Sequence, residues 1–136
     1  MATIQHACLF EQHTGTEMRS ISCSIPTVSK DGQRACWCPR QPRTDGTVSH
    51  LSTNLPEWSE ELGCLVQQFN KDRVKKASSK NFIVTADGTA TAARGGPRKI
   101  LQFGKCAKSL YILDFKQPLA AVQAFAICVS HWNWKG

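Results

Sequence analysis

The chain has 136 residues, a formal net charge of +7 and a hydrophobic content of 41%, which is ordinary for one globular domain with a buried core. Its first residues do not resemble a secretion signal, because "MATIQHACLFEQH" has no basic start and Gln5 and His6 interrupt its apolar run. We therefore expect the seven dispersed cysteines to be reduced thiols in the cytoplasm or nucleus, which excludes a disulfide framework.

Strands are predicted in the N-terminal part, where apolar residues alternate or cluster between turn formers, at 7–12, 19–26 and 34–39. In the second strand, Ile21, Cys23 and Ile25 share one face and serines occupy the other, which predicts one buried and one wet side. The Asp-Gly of "SKDGQ" (29–33) predicts the hairpin turn that joins the second strand to the third.

The middle of the chain combines loops with further strands. Residues 39–56 are polar and rich in Thr, Ser, Gly and Pro, which predicts a long surface loop. A second loop is predicted over "TADGTATAARGGPR" (85–98), which contains Asp-Gly and Gly-Gly-Pro. The four strands predicted here lie at 64–69, 81–86, 99–104 and 109–115.

Positive charge is concentrated between residues 70 and 108. This segment holds ten Lys and Arg against Asp72 and Asp87, a net charge of +8, so the rest of the chain sums to −1. Such a block indicates an anionic partner, either phosphoinositide headgroups or nucleic acid, but a solvated face explains the charge equally well. The candidate anion-binding residues are Lys71, Arg73, Lys75, Lys76, Lys80, Arg94, Arg98 and Lys99.

One segment is predicted to be helical, from residue 118 to residue 133. Pro118 suits a first helical position, and the residues that follow include good helix formers and no Gly or Pro. Apolar residues lie all round this helix, which predicts burial on every side. At 1.5 Å per residue it spans about 24 Å, so we expect no transmembrane segment. Its predicted core residues are Leu119, Val122, Phe125, Ile127 and Val129.

The sequence contains no recognisable catalytic motif, such as GxSxG, HExxH, a P-loop or GxGxxG. We therefore predict that the chain is not an enzyme and needs no cofactor. Cys36 and Cys38 form a C-x-C pair, and His6 and Cys8 form an H-x-C pair. Zinc sites generally use wider spacings and a second ligand pair, so no metal site is predicted.

Several motifs, taken in order, are similar to those of one family. They are "RV" (73–74), "ASSKNF" (77–82), "LQFGK" (101–105), "LDF" (113–115) and "PLAAVQAFAI" (118–127). With them, the chain closely resembles the C-terminal half of the tubby domain, and the resemblance covers essentially the whole chain. It departs from the family pattern with Asp72 in place of a Gly, Ser79 in place of a Val and Ile83 in place of a Gln.

The resemblance implies a mainly β fold with one buried C-terminal helix (α+β), as a single partial domain over residues 1–136. It would be a partial tubby-like β-barrel with about seven antiparallel strands around a central hydrophobic helix. Because the family's barrel has twelve strands, seven cannot close it. We therefore expect open sheet edges, one exposed flank of the helix and marginal stability, unless a protein partner or an oligomer completes the barrel.

The resemblance also implies a function. Tubby-like proteins are non-enzymatic modules that bind phosphoinositides in membrane and ciliary trafficking or nuclear signalling, which implies a cytoplasmic, membrane-peripheral, ciliary or nuclear location. The family's main lipid pocket lies on strands without a counterpart here, so the basic residues named above are candidates for a residual affinity for anionic phospholipid headgroups. Two alternatives stay open: a nucleic-acid-binding or transcription-associated basic module, and a structural remnant without a ligand.

Overall fold

The computed structural model describes residues 2–12, 14–36, 48–86 and 98–134. Within these residues the chain forms antiparallel strands followed by one C-terminal helix, which confirms the predicted fold class. The elements in chain order are β1 (Thr3–Phe10), β2 (Glu17–Pro26), β3 (Val48–Asn54), β4 (Glu57–Ser59), β5 (Cys64–Val66), β6 (Phe82–Ala86), β7 (Lys99–Ala107), β8 (Leu110–Phe115) and α1 (Ala121–Asn133).

Six strands form one antiparallel sheet in the order β1-β2-β3-β6-β7-β8, and β4 and β5 form a separate two-stranded sheet. β3 pairs directly with β6, although β4 and β5 lie between them in the sequence. In this pairing Leu51 lies opposite Ala86 and Thr53 opposite Val84. β1 and β8 are the two edges, so the sheet is open over the described residues. This architecture is consistent with a partial tubby-like barrel.

β2 shows why the sheet has one buried face. Ile21, Cys23 and Ile25 are 1%, 2% and 0% exposed, whereas Ser22 between them is exposed. Successive side chains of a strand point to opposite faces, so this alternation confirms the predicted buried and wet sides. Burial raises the pKa of the Cys23 thiol to about 11, because a thiolate would lose its hydration there.

α1 packs on this buried face. Ala124 and Ile127 are 0% exposed, and Cys128 is 6% exposed, with a pKa that burial raises to about 12. The core that the helix and the sheet form together contains Ile21, Cys23, Ile25, Leu51, Phe82, Val84, Ile100, Leu101, Leu119, Ala124, Ile127 and Cys128. No helix among the described residues is long and apolar enough to cross a membrane.

The helix begins at Ala121, so the prediction that it starts at Pro118 was wrong. The backbone turns just before it, where the Leu119 N–H donates to the Lys116 carbonyl at 3.1 Å. The Ala120 N–H then donates to Oε1 of Gln123 at 2.9 Å, which satisfies a backbone group that the first helical turn leaves without a partner.

The prediction that the helix is buried on every side was wrong for three of its five named residues. Leu119 and Ile127 are buried, but Val122, Phe125 and Val129 are 75%, 64% and 40% exposed. The physical reason is that one sheet covers one face of a helix, and the described strands do not continue around it. The exposed flank expected from the strand count is therefore present.

The loop predicted over 39–56 was wrong for residues 48–54, which form β3. Leu51 is its only large apolar residue with strong burial, at 0% exposed. The other residues are mainly Ser, Thr, His and Asn, and the neighbouring strands β2 and β6 recruit them into the sheet through backbone pairing. Intrinsic strand preference is weaker than this tertiary pairing.

The strand predicted over 34–39 does not form over residues 34–36. The Asp-Gly turn is present, with the Ser29 N–H donating to the Gln33 carbonyl at 2.8 Å and Gly32 at a φ of 79°. After it, pairing is limited to one bridge between Val28 and Arg34, and residues 37–39 lie outside the described residues.

The other predicted strands overlap the observed ones but differ at their ends. β1 begins at Thr3, not at residue 7, and ends at Phe10, where the chain enters a turn that the Glu11 carboxylate holds by accepting from the Thr14 N–H at 2.7 Å. β5 ends at Val66, not at residue 69, because the following residues leave the β4–β5 ladder.

Candidate anion-binding groove

The basic segment after β5 folds into a turn that lies against the large sheet. The Asn70 carbonyl accepts from the N–H groups of Arg73 at 3.1 Å and Val74 at 2.8 Å. The Asn70 side chain accepts from the Asp72 N–H at 3.0 Å, and the Asn70 N–H donates to Oε1 of Gln102 on β7 at 3.2 Å. These bonds fix the position of the turn relative to the sheet.

Val74 packs directly over Gly104 of β7. A Cβ placed at position 104 would lie 2.5 Å from both γ carbons of Val74, closer than side-chain atoms approach one another. The N–H groups of Lys75 and Lys76 then donate to the Lys105 carbonyl at 3.1 and 3.0 Å. The missing side chain of Gly104 therefore allows the basic segment to lie close to β7.

A bidentate ion pair links the turn to β8. The Arg73 guanidinium donates to the Asp114 carboxylate through Nη2 at 2.7 Å and through Nε at 3.1 Å. The Gln102 side chain donates to the same carboxylate at 3.0 Å. Chiefly because of the bond from Arg73, the pKa of Asp114 lies below its usual value and that of Arg73 lies above its usual value.

Between the turn and strands β7 and β8 lies a groove with a volume of about 850 Å³. Its lining includes three lysines, Lys71, Lys99 and Lys116, and one carboxylate, Asp114, which is already paired with Arg73. The groove therefore presents three positive charges that the described lining residues do not balance. Its lining residues are Gln67, Gln68, Phe69, Asn70, Lys71, Val74, Lys99, Ile100, Leu101, Gln102, Asp114, Phe115 and Lys116.

The lysines come from three different elements. Lys71 is in the turn, Lys99 begins β7 and Lys116 follows β8, and all three are exposed. The side-chain Nζ of Lys99 donates to the Gln68 carbonyl. Lys116 is held through its backbone, whose N–H donates to the Ile100 carbonyl at 3.0 Å. Ammonium groups so placed act as positive point charges toward phosphate or carboxylate oxygens.

The structure brings together only part of the basic set predicted from the sequence. Lys71 and Lys99 line the groove, and Arg73 forms the ion pair with Asp114, which is one of its lining residues. Arg98 donates to the Gln117 carbonyl at 3.2 Å, and Arg94 lies outside the described residues. Lys75, Lys76 and Lys80 do not line the groove.

Lys116 was missed by the sequence interpretation, because it stands alone and outside the dense basic segment. The register gives the signal that could have found it. Leu101 pairs with Phe115, which places the residue after β8 opposite the start of β7, near Lys99. Recognising β7 and β8 as a hairpin would have indicated that both lysines lie at the same end of these two strands.

Lys80 contributes to a different site, at the end of α1. Its Nζ lies 3.1 Å from the centroid of the Trp132 ring, a cation–π contact. Trp132 also meets Tyr111 edge-on, with ring centroids 5.0 Å apart. Lys80 therefore helps to fix the helix end, and we do not include it among the groove residues.

His131 lies at a second cavity, of about 620 Å³, between β2 and the segment before β6. It is 4% exposed and packs against Phe82 with ring centroids 4.2 Å apart. Its Nδ1 has no hydrogen-bond partner among the described atoms. Desolvation, followed by the charges of Arg19 and His6, lowers its pKa to about 4, so the ring is neutral near pH 7.

The H-x-C pair of the sequence has partners other than a metal. Nε2 of His6 lies 2.6 Å from the Ser130 hydroxyl, and Sγ of Cys8 donates to Glu17 at 3.3 Å. Among the described residues no group of three or more His, Cys, Asp or Glu is arranged to hold a metal ion. Cys38 of the C-x-C pair lies outside them.

Comparison with known proteins agrees with the resemblance. Tubby-like F-box protein 9 of Arabidopsis thaliana is 44% identical over 83 residues, which cover 61% of this chain and 22% of the relative. Tubby-like F-box protein 6 of Oryza sativa subsp. japonica is 36% identical over 107 residues, which cover 71% of this chain and 26% of the relative. The chain thus spans about a quarter of the length of these relatives. The model of the Tub family matches residues 2–133, and the chain belongs to that family.

Proposed function

We propose that this chain is a non-enzymatic binding module whose groove holds anionic phosphate groups, with phosphoinositide headgroups at a membrane surface as the ligand. The observation that carries the proposal is the convergence of Lys71, Lys99 and Lys116 on one groove in which Asp114 is already neutralised by Arg73. Membership in the Tub family supports the class of ligand, since the family resemblance implies phosphoinositide binding, but the groove differs from the family's main lipid pocket, which lies on strands without a counterpart here.

The chemistry of the groove suits a phosphorylated headgroup. Lysine ammonium groups bind phosphate as point charges, and several phosphates on one ring can engage several lysines at once. Phe115 is 41% exposed beside them and offers an apolar surface for the edge of a ring or a lipid chain. Reversible membrane attachment follows from this binding, and with it a membrane-peripheral role in trafficking.

Vesicle sedimentation tests the proposal. Phosphatidylcholine vesicles that contain phosphatidylinositol bisphosphate are compared with vesicles that carry the same surface charge as phosphatidylserine. We expect the chain to sediment preferentially with the phosphoinositide. The triple variant Lys71→Gln/Lys99→Gln/Lys116→Gln should lose that preference, because each lysine near an anionic surface contributes about 1 kcal/mol.

A matched control separates the groove from net charge. The variant Lys75→Gln/Lys76→Gln/Lys108→Gln removes the same charge from residues outside the groove and should keep the preference. Equal losses in both variants would mean that binding reflects overall charge alone. Duplex DNA could also compete with the vesicles for the chain. If it did, and if the affinity for DNA fell steeply with salt while vesicle binding showed no headgroup preference, the nucleic-acid alternative would be favoured.

A further inference from the structure

One carboxylate, that of Asp114, lies in the groove together with the three lysines. Chiefly because Arg73 donates to it, the pKa of Asp114 lies below its usual value, so the carboxylate is ionised at neutral pH. An ionised carboxylate repels the phosphate groups that the lysines attract. A groove for phosphate alone gains nothing from this group in its lining, whereas a groove whose ligand also carries a hydrogen-bond donor does.

The Asp114 carboxylate has hydrogen-bonding capacity left over. A carboxylate can accept about four hydrogen bonds, two at each oxygen. Oδ2 accepts from Nε of Arg73 at 3.1 Å and from the Gln102 side chain at 3.0 Å. Among the described residues, Oδ1 accepts only from Nη2 of Arg73, at 2.7 Å. The Asp114 side chain is 37% exposed, so a ligand in the groove can reach this oxygen.

The acceptor is also fixed in position before any ligand binds. The three hydrogen bonds from Arg73 and Gln102 set the orientation of the carboxylate. Gln102 in turn accepts from the Asn70 N–H at 3.2 Å, so the same network positions the turn that carries Lys71. Because these groups are already ordered, a ligand that uses them loses less free energy to ordering on binding.

We propose that Oδ1 of Asp114 accepts a hydrogen bond from a hydroxyl group of the ligand, so that the groove selects a phosphorylated polyol over a phosphate group alone. This inference rests on the proposed function and names the part of the headgroup that the lysines do not bind. Phosphate oxygens are largely unprotonated at neutral pH and cannot donate to a carboxylate, whereas the inositol ring carries hydroxyl groups beside its phosphates. In dinucleotide-binding sites, an acidic side chain binds a ribose hydroxyl near the bound phosphates in the same way.

Vesicle binding with three anionic lipids tests the inference. Phosphatidylcholine vesicles contain phosphatidylinositol bisphosphate, phosphatidic acid or phosphatidylserine at the same surface charge. Phosphatidic acid presents a phosphate monoester without a ring hydroxyl, so the lysines can bind it but Asp114 meets no donor. We expect the wild-type chain to bind the phosphoinositide at least about tenfold more tightly than phosphatidic acid, as expected for one hydrogen bond to a charged group.

Asp114→Asn should reduce this preference about tenfold, because the amide oxygen carries no charge. Its binding to phosphatidic acid should stay the same or increase, since a negative charge has left the groove. A purely structural role would weaken binding to both lipids by the same factor, and that result would overturn the inference. Circular dichroism checks the fold, to which an exposed ion pair contributes little.

Asp72→Asn is the matched control, because it removes the same charge from an exposed residue of the same turn that does not line the groove. This variant should keep the wild-type preference. A competition experiment needs no variant: inositol trisphosphate should displace the wild-type chain from phosphoinositide vesicles at a lower concentration than tripolyphosphate, which is also highly charged but has no alcohol group. Equal displacement by the two compounds would overturn the inference.

The three lipids also separate this inference from the proposed function. A wild-type chain that prefers the phosphoinositide to phosphatidylserine, but binds phosphatidic acid equally well, would support the proposed function and overturn the role of Asp114. A chain without any preference for the phosphoinositide over phosphatidylserine would overturn both.

Discussion

Ile127 and Phe125 lie two residues apart in α1 but in opposite environments. Ile127 is 0% exposed in the core, whereas Phe125 is 64% exposed on the outer face. Replacing either with Ala removes an apolar side chain from the same helix, and Ala is the residue that favours helix most. The two substitutions therefore compare the loss of stability on the buried face of α1 with the loss on its exposed face, in the same helix.

The structure sets the expected magnitudes far apart. Ile127→Ala removes a fully enclosed side chain and should lower the free energy of unfolding by about 2–5 kcal/mol. Phe125→Ala removes contacts from a side chain that is mostly in water, and the better helix propensity of Ala offsets part of that loss. We expect a change within about 1 kcal/mol of the wild type.

Urea unfolding followed by circular dichroism measures both values. Protein concentrations in the low micromolar range limit association between copies, which would otherwise change the apparent free energy of unfolding. Equal slopes of free energy against urea establish that the variants unfold from the same compact state. A loss of about 3 kcal/mol or more for Phe125→Ala would show that Phe125 is enclosed and would refute the exposed face of α1.

Two further predictions concern the groove and the second cavity. Gly104→Ala places a Cβ 2.5 Å from the Val74 γ carbons. It should therefore lower the free energy of unfolding in urea by about 1–3 kcal/mol and weaken binding to phosphoinositide vesicles. Adding Val74→Ala should restore both properties, and if it restored neither, the clash with Val74 would not be the cause. His131 has its pKa lowered from 6.5 to about 4, chiefly by desolvation. Since the unfolded chain takes up a proton between these values and the folded chain does not, stability falls as pH drops from 6.5 to 4, by up to about 3 kcal/mol. His131→Phe should remove this component of the pH dependence, and parallel curves for the two proteins in urea unfolding between pH 7 and 4.5 would contradict it.

Local sequence patterns predicted correctly those features of the structure that depend on neighbouring residues alone. The alternation in β2 predicted its buried face, because side chains in a strand must point to alternate sides. The Asp-Gly pair predicted the turn at residues 29–33, because Gly32 adopts the positive φ of 79° that the turn needs. The family motifs predicted the fold class, including the helix after β8.

Other features depend on pairings that no local pattern records. β3 is mostly polar, and it is a strand because β2 and β6 flank it. Lys116 lines the groove because the β7–β8 hairpin places the end of β8 beside the start of β7. Lys80 was predicted as an anion-binding residue, but it lies over Trp132, and the contact arises from the way the helix end packs.

The charge-free segment 117–134 shows this limit most clearly. Periodicity cannot identify the outer face of α1, since Phe125 outside and Ile127 inside are equally apolar and only the sheet distinguishes them. A surface helix of a chain with net charge +7 would ordinarily carry Lys or Glu on the face that meets water. The exposed residues of α1 include neither, which is the composition of a buried helix. Composition therefore predicted burial on every side, whereas the described strands cover only the face that contains Ile127.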